Sequence, residues 1–398
     1  MKRLARGLRR LKHMHWPMAF ALALLLGVGA LFIYSACFVS EDLPVASTYR
    51  RHLMWTVAGA ICYLAFAAYD YRKLARWSAW FYAAGLVLLL AVLVAGTERY
   101  GARRWLPVYG SLTIQPSEVA KLLTVLMLAR LLSRPAAEVR RFRVLALCLA
   151  VAALPAGLIL VEPSLGTALV FVPMAFAVMY VGGIPAKFLT GLAGLGLLAA
   201  AVMLAAVFLP ERLGADEQTR QDALRMVGLR PYHRARIVTF LHPGEDPLNT
   251  GWNKLQSEIA VGSGGLWGKG FLKGTQNILG YLPRSVAPTD FIYSVIAEET
   301  GYAGTVTVLA LFGAVLTFGL QAAVRAGDRL GRLFCVGAVT LIFTHVCVNV
   351  AMTVGLLPIT GLPLPLLSYG GTFMVVTMSA LGIVQSVYIH APRVRRAW

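Results

Sequence analysis

The chain has 398 residues, 58% of them hydrophobic and only 14% charged, whereas a soluble globular domain carries about a quarter charged residues. Several apolar runs reach the ~20 residues that cross a hydrocarbon core, which excludes an ordinary soluble domain. The formal net charge of +19 would suggest nucleic acid in a soluble protein; here it follows from the Lys and Arg that mark cytoplasmic loops, and no nucleic-acid partner is expected.

In chain order, the basic stretch MKRLARGLRRLKHMHW leads into the apolar run Pro17 to Phe38. That run is longer than the roughly 7–15-residue core of a secretory signal, so it reads as a retained first helix. Further spans follow near residues 53–69, 79–96, 117–134, 144–161, 164–183, 188–209, 291–318, 333–356 and 369–389. The runs are continuous rather than alternating, and backbone in lipid must satisfy its own hydrogen bonds, so the spans are helices and not barrel strands. The expected fold is an all-α integral membrane protein of about ten transmembrane helices, a single polytopic domain over residues 1–398. One face receives Lys2, Arg3, Arg6, Arg9, Arg10 and Lys12, then Arg72, Lys73, Arg76, Arg134, Arg140, Arg141, Arg143, Lys187, Arg325, Arg329, Arg332, Arg393, Arg395 and Arg396. The short loops of the other face hold only Arg50, Arg51, Arg99, Arg103 and Arg104. This bias puts both termini in the cytoplasm and sends residues 210–289 outside, as a large extracytoplasmic loop between helices 7 and 8. That loop keeps Trp252, Leu255, Ile259, Leu266, Trp267, Phe271 and Leu279, so it is not disorder-like, and residues 231–241 mix basic and apolar residues as an interfacial helix does. Cys37, Cys62, Cys148, Cys335 and Cys347 all fall in predicted spans without a CxxC pair; they point to neither a metal site nor a disulfide framework.

Four stretches break the apolar monotony. The first joins Arg103, Arg104 and Trp105 to Gln115-Pro116-Ser117-Glu118 and Lys121. Pro116 suits a helix start and Ser117 can cap it. Glu118 and Lys121 share a helix face, either as a pair that holds the start of the helix or as functional charges at membrane depth. The second is the glycine-rich run Gly262 to Gly274 with Lys269 and Lys273. Backbone N–H groups in such a run can cradle an anion. The spacing misses a P-loop, and an outer position favours an anionic lipid headgroup over a nucleotide; a plain surface turn is the competing reading. The third is Pro288-Thr289-Asp290-Phe291, running into a helix with Glu298 and Glu299. Asp290 is either an N-terminal cap or a general base at the outer aqueous boundary, and the two glutamates need partners such as Lys121 or backbone N–H groups. The fourth holds Asn349, Met352, Gly355, Pro358, Gly361, Pro363, Pro365 and Ser368-Tyr369-Gly370-Gly371, a composition that makes a rigid, shaped outer loop.

IQPSEVAKL, GSGGLWGKGFLKGTQ, PTDFIYSVIAEETG and GLPLPLLSYGG, in this order, resemble the shape, elongation, division and sporulation (SEDS) family of peptidoglycan glycosyltransferases over nearly the whole chain. The runs Lys269 to Gln276 and Gly361 to Pro365 resemble its RodA (elongation) type more than its FtsW (division) type. The resemblance implies an enzyme of the bacterial cytoplasmic (inner) membrane that polymerises lipid II outside the membrane and releases undecaprenyl diphosphate. It implies Asp290 as the catalytic base, taking the proton of the acceptor 4-hydroxyl in a single inverting displacement. Cations must stabilise the diphosphate, and the expected substrate-binding residues are Arg104, Trp105, Glu118, Lys121, Lys269 and Lys273. No metal ligands or cofactors are evident, although a divalent cation is compatible with a diphosphate. The implied partners are a class B penicillin-binding protein transpeptidase and other elongation-complex membrane proteins.

Two departures from the family pattern stand out. The segment before Asp290 is Pro283-Arg284-Ser285-Val286-Ala287-Pro288-Thr289, without the family's usual glutamate and histidine. Glu162-Pro163-Ser164-Leu165-Gly166-Thr167 stands where the family often has Gln-Pro-Asp-Leu-Gly-Thr, so this position is assigned no role. The alternatives are a division- or sporulation-type member, a lipid II flippase, or a scaffold that recruits a transpeptidase. A transporter gathers its polar groups near the bilayer midplane; here they gather at the outer boundary, which favours surface chemistry.

Overall fold

A computed structural model describes residues 11–38, 44–99, 102–109, 112–162, 164–214, 216–227, 234, 238–240 and 250–391. The described residues are mostly helical, at 77%. The helices are α1 (Trp16–Phe38), α2 (Pro44–Ala68), α3 (Tyr71–Arg76), α4 (Ser78–Ala95), α5 (Pro116–Leu132), α6 (Ala136–Val139), α7 (Phe142–Val161), α8 (Leu165–Leu169) and α9 (Phe171–Gly182). They continue with α10 (Ala186–Arg212), α11 (Glu217–Met226), α12 (Thr250–Ser263), α13 (Thr275–Ile278), α14 (Ile292–Arg325), α15 (Arg329–Thr353) and α16 (Gly371–Ile389).

Among the described residues, eight helical segments are long and apolar enough to cross a membrane: α1, α4, α7, Leu165–Gly182, α10, α14, α15 and α16. The other two expected spans are helices as well. Their hydropathy is lowered by Arg50 and Arg51 in α2 and by Glu118, Lys121 and Arg130 in α5. The expected span at residues 164–183 is two helices, broken at Val170. α14 runs as far as Arg325 and is interrupted at Gly301, whose φ of 65° and ψ of −163° are not helical.

The all-α expectation needs one correction. Three strands, β1 (Thr97–Arg99), β2 (Ala102–Tyr109) and β3 (Leu112–Ile114), form an antiparallel sheet in that order. Trp105 pairs with Thr97, and Leu106 with Ile114, with a register shift in each ladder. β2 runs toward α5 by way of β3, and so carries Arg104 and Trp105 to the end of the bundle where α5 begins.

Two helix starts differ from the sequence reading. α5 has Pro116 in its first turn, where the missing N–H costs nothing, but its N-cap is Gln115; Ser117 is buried inside the helix. The N-cap of α14 is Phe291, with no side-chain cap bond, so Asp290 is not the cap residue. Residues 231–241, expected as an interfacial helix, lie outside the described residues except Arg234 and 238–240.

α15 and α16 form the centre, each 72% buried over its apolar window, whereas α10 is 6% buried and rests mainly on α11. The closest helix pairing is α2 with α16. Gly382 allows it, because a β-carbon there would sit 2.6 Å from the Tyr63 carbonyl oxygen; small residues permit such approach between membrane helices.

The polar contacts divide between two ends. At one end Arg72 Nε meets Asp328 Oδ2 at 2.5 Å and Tyr71 donates to the same carboxylate at 2.8 Å. Arg329 donates to the carbonyls of Arg134 and Gly182, both at 2.8 Å. His15 packs against Phe318 and Tyr388, which puts the start of α1 beside the end of α16. At the other end lie the start of α14, the end of α15, the start of α16, the end of α7 and strand β2, and here the candidate residues converge.

Candidate active site

Asp290 closes a turn that follows Pro283; its N–H donates to the Val286 carbonyl at 3.0 Å. The turn is tied to the proline- and glycine-rich loop between α15 and α16. Ser368 Oγ donates to the Thr289 carbonyl at 2.5 Å, and the Tyr369 N–H donates to the Pro288 carbonyl at 2.8 Å. The Leu364 N–H donates back to Ser368 Oγ at 2.8 Å. Asn349, wholly buried on α15, donates both amide hydrogens: one to the Asp290 carbonyl at 2.8 Å, the other to the Leu362 carbonyl at 2.7 Å. Asp290 itself is half-buried. Gly361 faces its carboxylate; with φ at 71°, a β-carbon there would lie 3.4 Å from Asp290 Oδ2. The aspartate thus sits at one end of the bundle, its own carbonyl and those of the two residues before it tied to other elements, beside Gly361, whose left-handed backbone a larger residue would strain.

Glu118 and Lys121 meet as their spacing predicts. Lys121 Nζ lies 2.9 Å from Glu118 Oε1 and 2.8 Å from Oε2. They are 3% and 1% exposed, so the pair is almost wholly buried. Lys121 has a further partner that the sequence reading missed: His345 Nε2 on α15, at 2.8 Å. His345 Nδ1 in turn lies 3.4 Å from the Pro363 carbonyl, and the Phe373 ring packs 4.9 Å from the imidazole. A narrow cavity lined by Glu118, Lys121, His345, Pro365, Phe373 and Thr377 opens beside them. His345 and Asn349 are four residues apart on one face of α15, and that spacing, aimed at a Pro/Gly loop, was the available sequence signal.

The glycine-rich run does not form an open anion cradle. Its N–H groups are directed at the protein's own oxygens: Lys269 N donates to the Glu298 carbonyl and Gly270 N to the Glu299 carbonyl, both at 3.0 Å. Lys269 Nζ pairs with Glu298 Oε1 at 2.7 Å, and Gln276 N donates to the same oxygen at 2.9 Å. Glu299 accepts from Ser35 Oγ at 2.5 Å and from Leu272 N at 3.2 Å. The two buried glutamates therefore find Lys269, Ser35 and backbone donors rather than Lys121, and their visible work is to dock this loop on α14. Lys273 is exposed.

Arg104 and Trp105 are half-buried. Arg104 Nε donates to the Glu162 carbonyl at 3.3 Å, joining β2 to the end of α7. Glu162 is 2% exposed, and neither carboxylate oxygen has a hydrogen-bond partner among the described residues. Burial pushes its carboxyl up to about 8 against the opposing pull of Arg104. Nearby, Gly166 abuts Thr360, whose carbonyl oxygen would be 2.7 Å from a β-carbon at that glycine. The first turn of α8 thus lies against the loop residue that precedes Gly361. Among the described residues, no group of three His, Cys, Asp or Glu is arranged to hold a metal.

The arrangement offers a carboxylate on a firmly held turn at one end of a membrane bundle, with arginine and lysine side chains at that end and a buried ion pair. Residues 16–392 match the sequence profile of the FtsW/RodA/SpoVE cell cycle proteins. The chain is 35% identical over 378 residues to the peptidoglycan glycosyltransferase MrdB of Escherichia coli K12, covering 95% of this chain and 94% of that protein. It is 31% identical to the peptidoglycan glycosyltransferase RodA of Treponema pallidum, over 91% and 94% of the two chains. A chain of a solved peptidoglycan synthase complex that coordinates polymerization and crosslinking superposes with a TM-score of 0.74 at 30% identity, over 94% of this chain and 97% of that one. By these matches and by its own motifs, the chain belongs to the FtsW/RodA/SpoVE (shape, elongation, division and sporulation) family, in its RodA-type branch.

Proposed function

We propose that the chain is the peptidoglycan glycosyltransferase of cell elongation and shape maintenance, with Asp290 as the general base that polymerises lipid II. In this reading, ten helices cross the cytoplasmic membrane and both termini are cytoplasmic. The loop at residues 210–289 and Asp290 face outward, where lipid II presents its sugars. Asp290 accepts the proton of the acceptor 4-hydroxyl while that oxygen bonds to the donor's anomeric carbon. The bond from that carbon to the diphosphate oxygen breaks, and undecaprenyl diphosphate leaves with the electron pair. One displacement inverts the α-linked donor to a β-linked product, so a single carboxylate suffices.

Arg104, Lys269 and Lys273 bind the diphosphate end, with Trp105 against the sugar or isoprenoid. Glu118 and Lys121 serve substrate binding from beneath, as a buried pair that supports the residues around Asp290 rather than touching the headgroup. A class B penicillin-binding protein would cross-link the product. That partner is suggested by the synthase complex in which the structural relative was solved.

The observation that carries the assignment is the placement of Asp290: two elements, α15 and the loop before α16, hold its turn, and Gly361, with no side chain, faces its carboxylate. The test uses purified protein, with and without a partner transpeptidase, and sugar-labelled lipid II. Asp290→Asn removes the base and keeps the size, so glycan polymer should fall by about 10²–10⁴-fold. Polymer at the wild-type rate from this variant would end the assignment. Absence of polymer from every preparation, with lipid II flipping measured in the same vesicles, would favour a flippase.

A further inference from the structure

We infer that His345 is a positioning residue for the glycosyl transfer, through which the buried Glu118–Lys121 pair holds the loop that faces Asp290. The inference rests on the catalytic assignment of Asp290.

The geometry is a chain of contacts across three elements. Glu118 and Lys121 belong to α5, His345 to α15, and Pro363 to the loop between α15 and α16. As the cationic partner of Glu118, Lys121 has only donors to offer. Its contact at 2.8 Å therefore makes His345 Nε2 the acceptor. That fixes the tautomer: the proton sits on Nδ1, directed at the Pro363 carbonyl 3.4 Å away. The imidazole alone among neutral rings both accepts at one nitrogen and donates at the other, so it can join a cation to a carbonyl. Phe373 fixes the ring plane from α16, 4.9 Å from the imidazole and 5.7 Å from the ammonium.

One turn along α15, Asn349 holds the adjacent loop carbonyl, that of Leu362, and the carbonyl of Asp290. His345 and Asn349 are thus two rungs from one helix face to two consecutive loop residues. The Asn349 rung includes the catalytic turn; the His345 rung includes the ion pair. Between them they set where Gly361 lies against the Asp290 carboxylate. Residues so buried do not reach the lipid headgroup directly. Their influence on the reaction runs through this loop, and His345 is the link.

The test compares His345→Leu with His345→Gln in the full-length protein in detergent or vesicles. Glutamine keeps an acceptor for Lys121 and a donor for Pro363; leucine keeps neither. The expected result is a fall in kcat for lipid II polymerisation of roughly tenfold to a hundredfold in His345→Leu, with KM within about threefold. Hydrogen exchange should speed up in residues 359–368, and His345→Gln should recover most of both changes. The exchange measurement needs no turnover, so it stands even if Asp290 proves not to be the base. A lower melting temperature in His345→Leu without altered kcat or loop exchange would make the histidine merely structural and overturn the proposal. So would a glutamine variant as impaired as the leucine one.

Discussion

Asn349 commits both hydrogens of one amide to two carbonyls on different segments, Asp290 and Leu362. Replacing it with leucine removes the donor from both carbonyls beside a wholly buried side chain, and the turn and the loop lose their common anchor. Displacement of about 1 Å at a reacting group can cost about 10²-fold in rate. Asn349→Leu should therefore reduce kcat by that order while the KM for lipid II changes little, as read by steady-state polymerisation. Activity within a few-fold of wild type would mean that the other ties to Ser368 and Tyr369 suffice.

Glu162 makes a different prediction. A carboxyl raised from 4.5 to about 8 in the folded state keeps its proton where the unfolded chain has lost it. The native state then binds more protons between those two pH values, so stability falls as pH rises across that window. Glu162→Gln removes the titration without the charge. Its melting temperature should exceed that of wild type at pH 8 and converge with it near pH 4.5, in thermal unfolding measured in detergent. Parallel curves would show that Glu162 is ionised and partnered in solution. Both residues illustrate what one sequence withholds at this scale. Asp290 was legible because a carboxylate at a membrane boundary is conspicuous. The supports of its turn come from helices and loops distant in the chain, and only the fold brings them together.

At the scale of elements, the eight helical segments apolar enough to cross a membrane were legible because a bilayer imposes a length on them. The sheet at residues 97–114 was not, because two of its strands are three residues long and no period can be read from so few positions. The break in α14 was hidden as well: one glycine in an apolar helix signals nothing until its partner is known. That partner is the glycine-rich loop, where Gly268 has φ at 78° and would place a β-carbon 2.2 Å from the Glu299 carbonyl oxygen. The glycines at 268 and 301 are thus there for close backbone contact between the loop and α14, not for binding a phosphate. Gly268→Ala should undock the loop, at a cost of more than about 1 kcal/mol from the positive φ alone and more from the clash. Gly313→Ala, farther along α14 with no atom within 4 Å of the new carbon, should be neutral or stabilise by up to about 1 kcal/mol. Thermal unfolding with limited proteolysis of the loop checks both, and an undisturbed loop in Gly268→Ala would refute the docking role.

For the whole molecule, the two ends of the bundle differ in kind, and the difference predicts how the chain sits in the membrane. One end collects arginines that bind carbonyls and one carboxylate: Arg72 to Asp328, Arg329 to Arg134 and Gly182. The other holds Asp290, the paired loops and the sheet. In the proposed function the second end faces outward, and the Lys/Arg bias argues separately for a cytoplasmic first end. The first argument rests on the chemistry and the second on the count of charges, so they can fail separately. Lys73 and Lys273 are both exposed, one on α3 at the arginine-rich end, the other in the loop docked on α14. In a variant with all five cysteines replaced, a single cysteine at position 273 should react with a membrane-impermeant maleimide added to spheroplasts. A cysteine at position 73 should react only after the membrane is opened. The reverse pattern would put Asp290 in the cytoplasm, on the opposite side of the membrane from the growing glycan, and the catalytic reading would fall with the topology. Labelling of both sites from outside would show instead that the α3 segment is not cytoplasmic, leaving the outward placement of Asp290 intact and correcting the span count between α1 and α14.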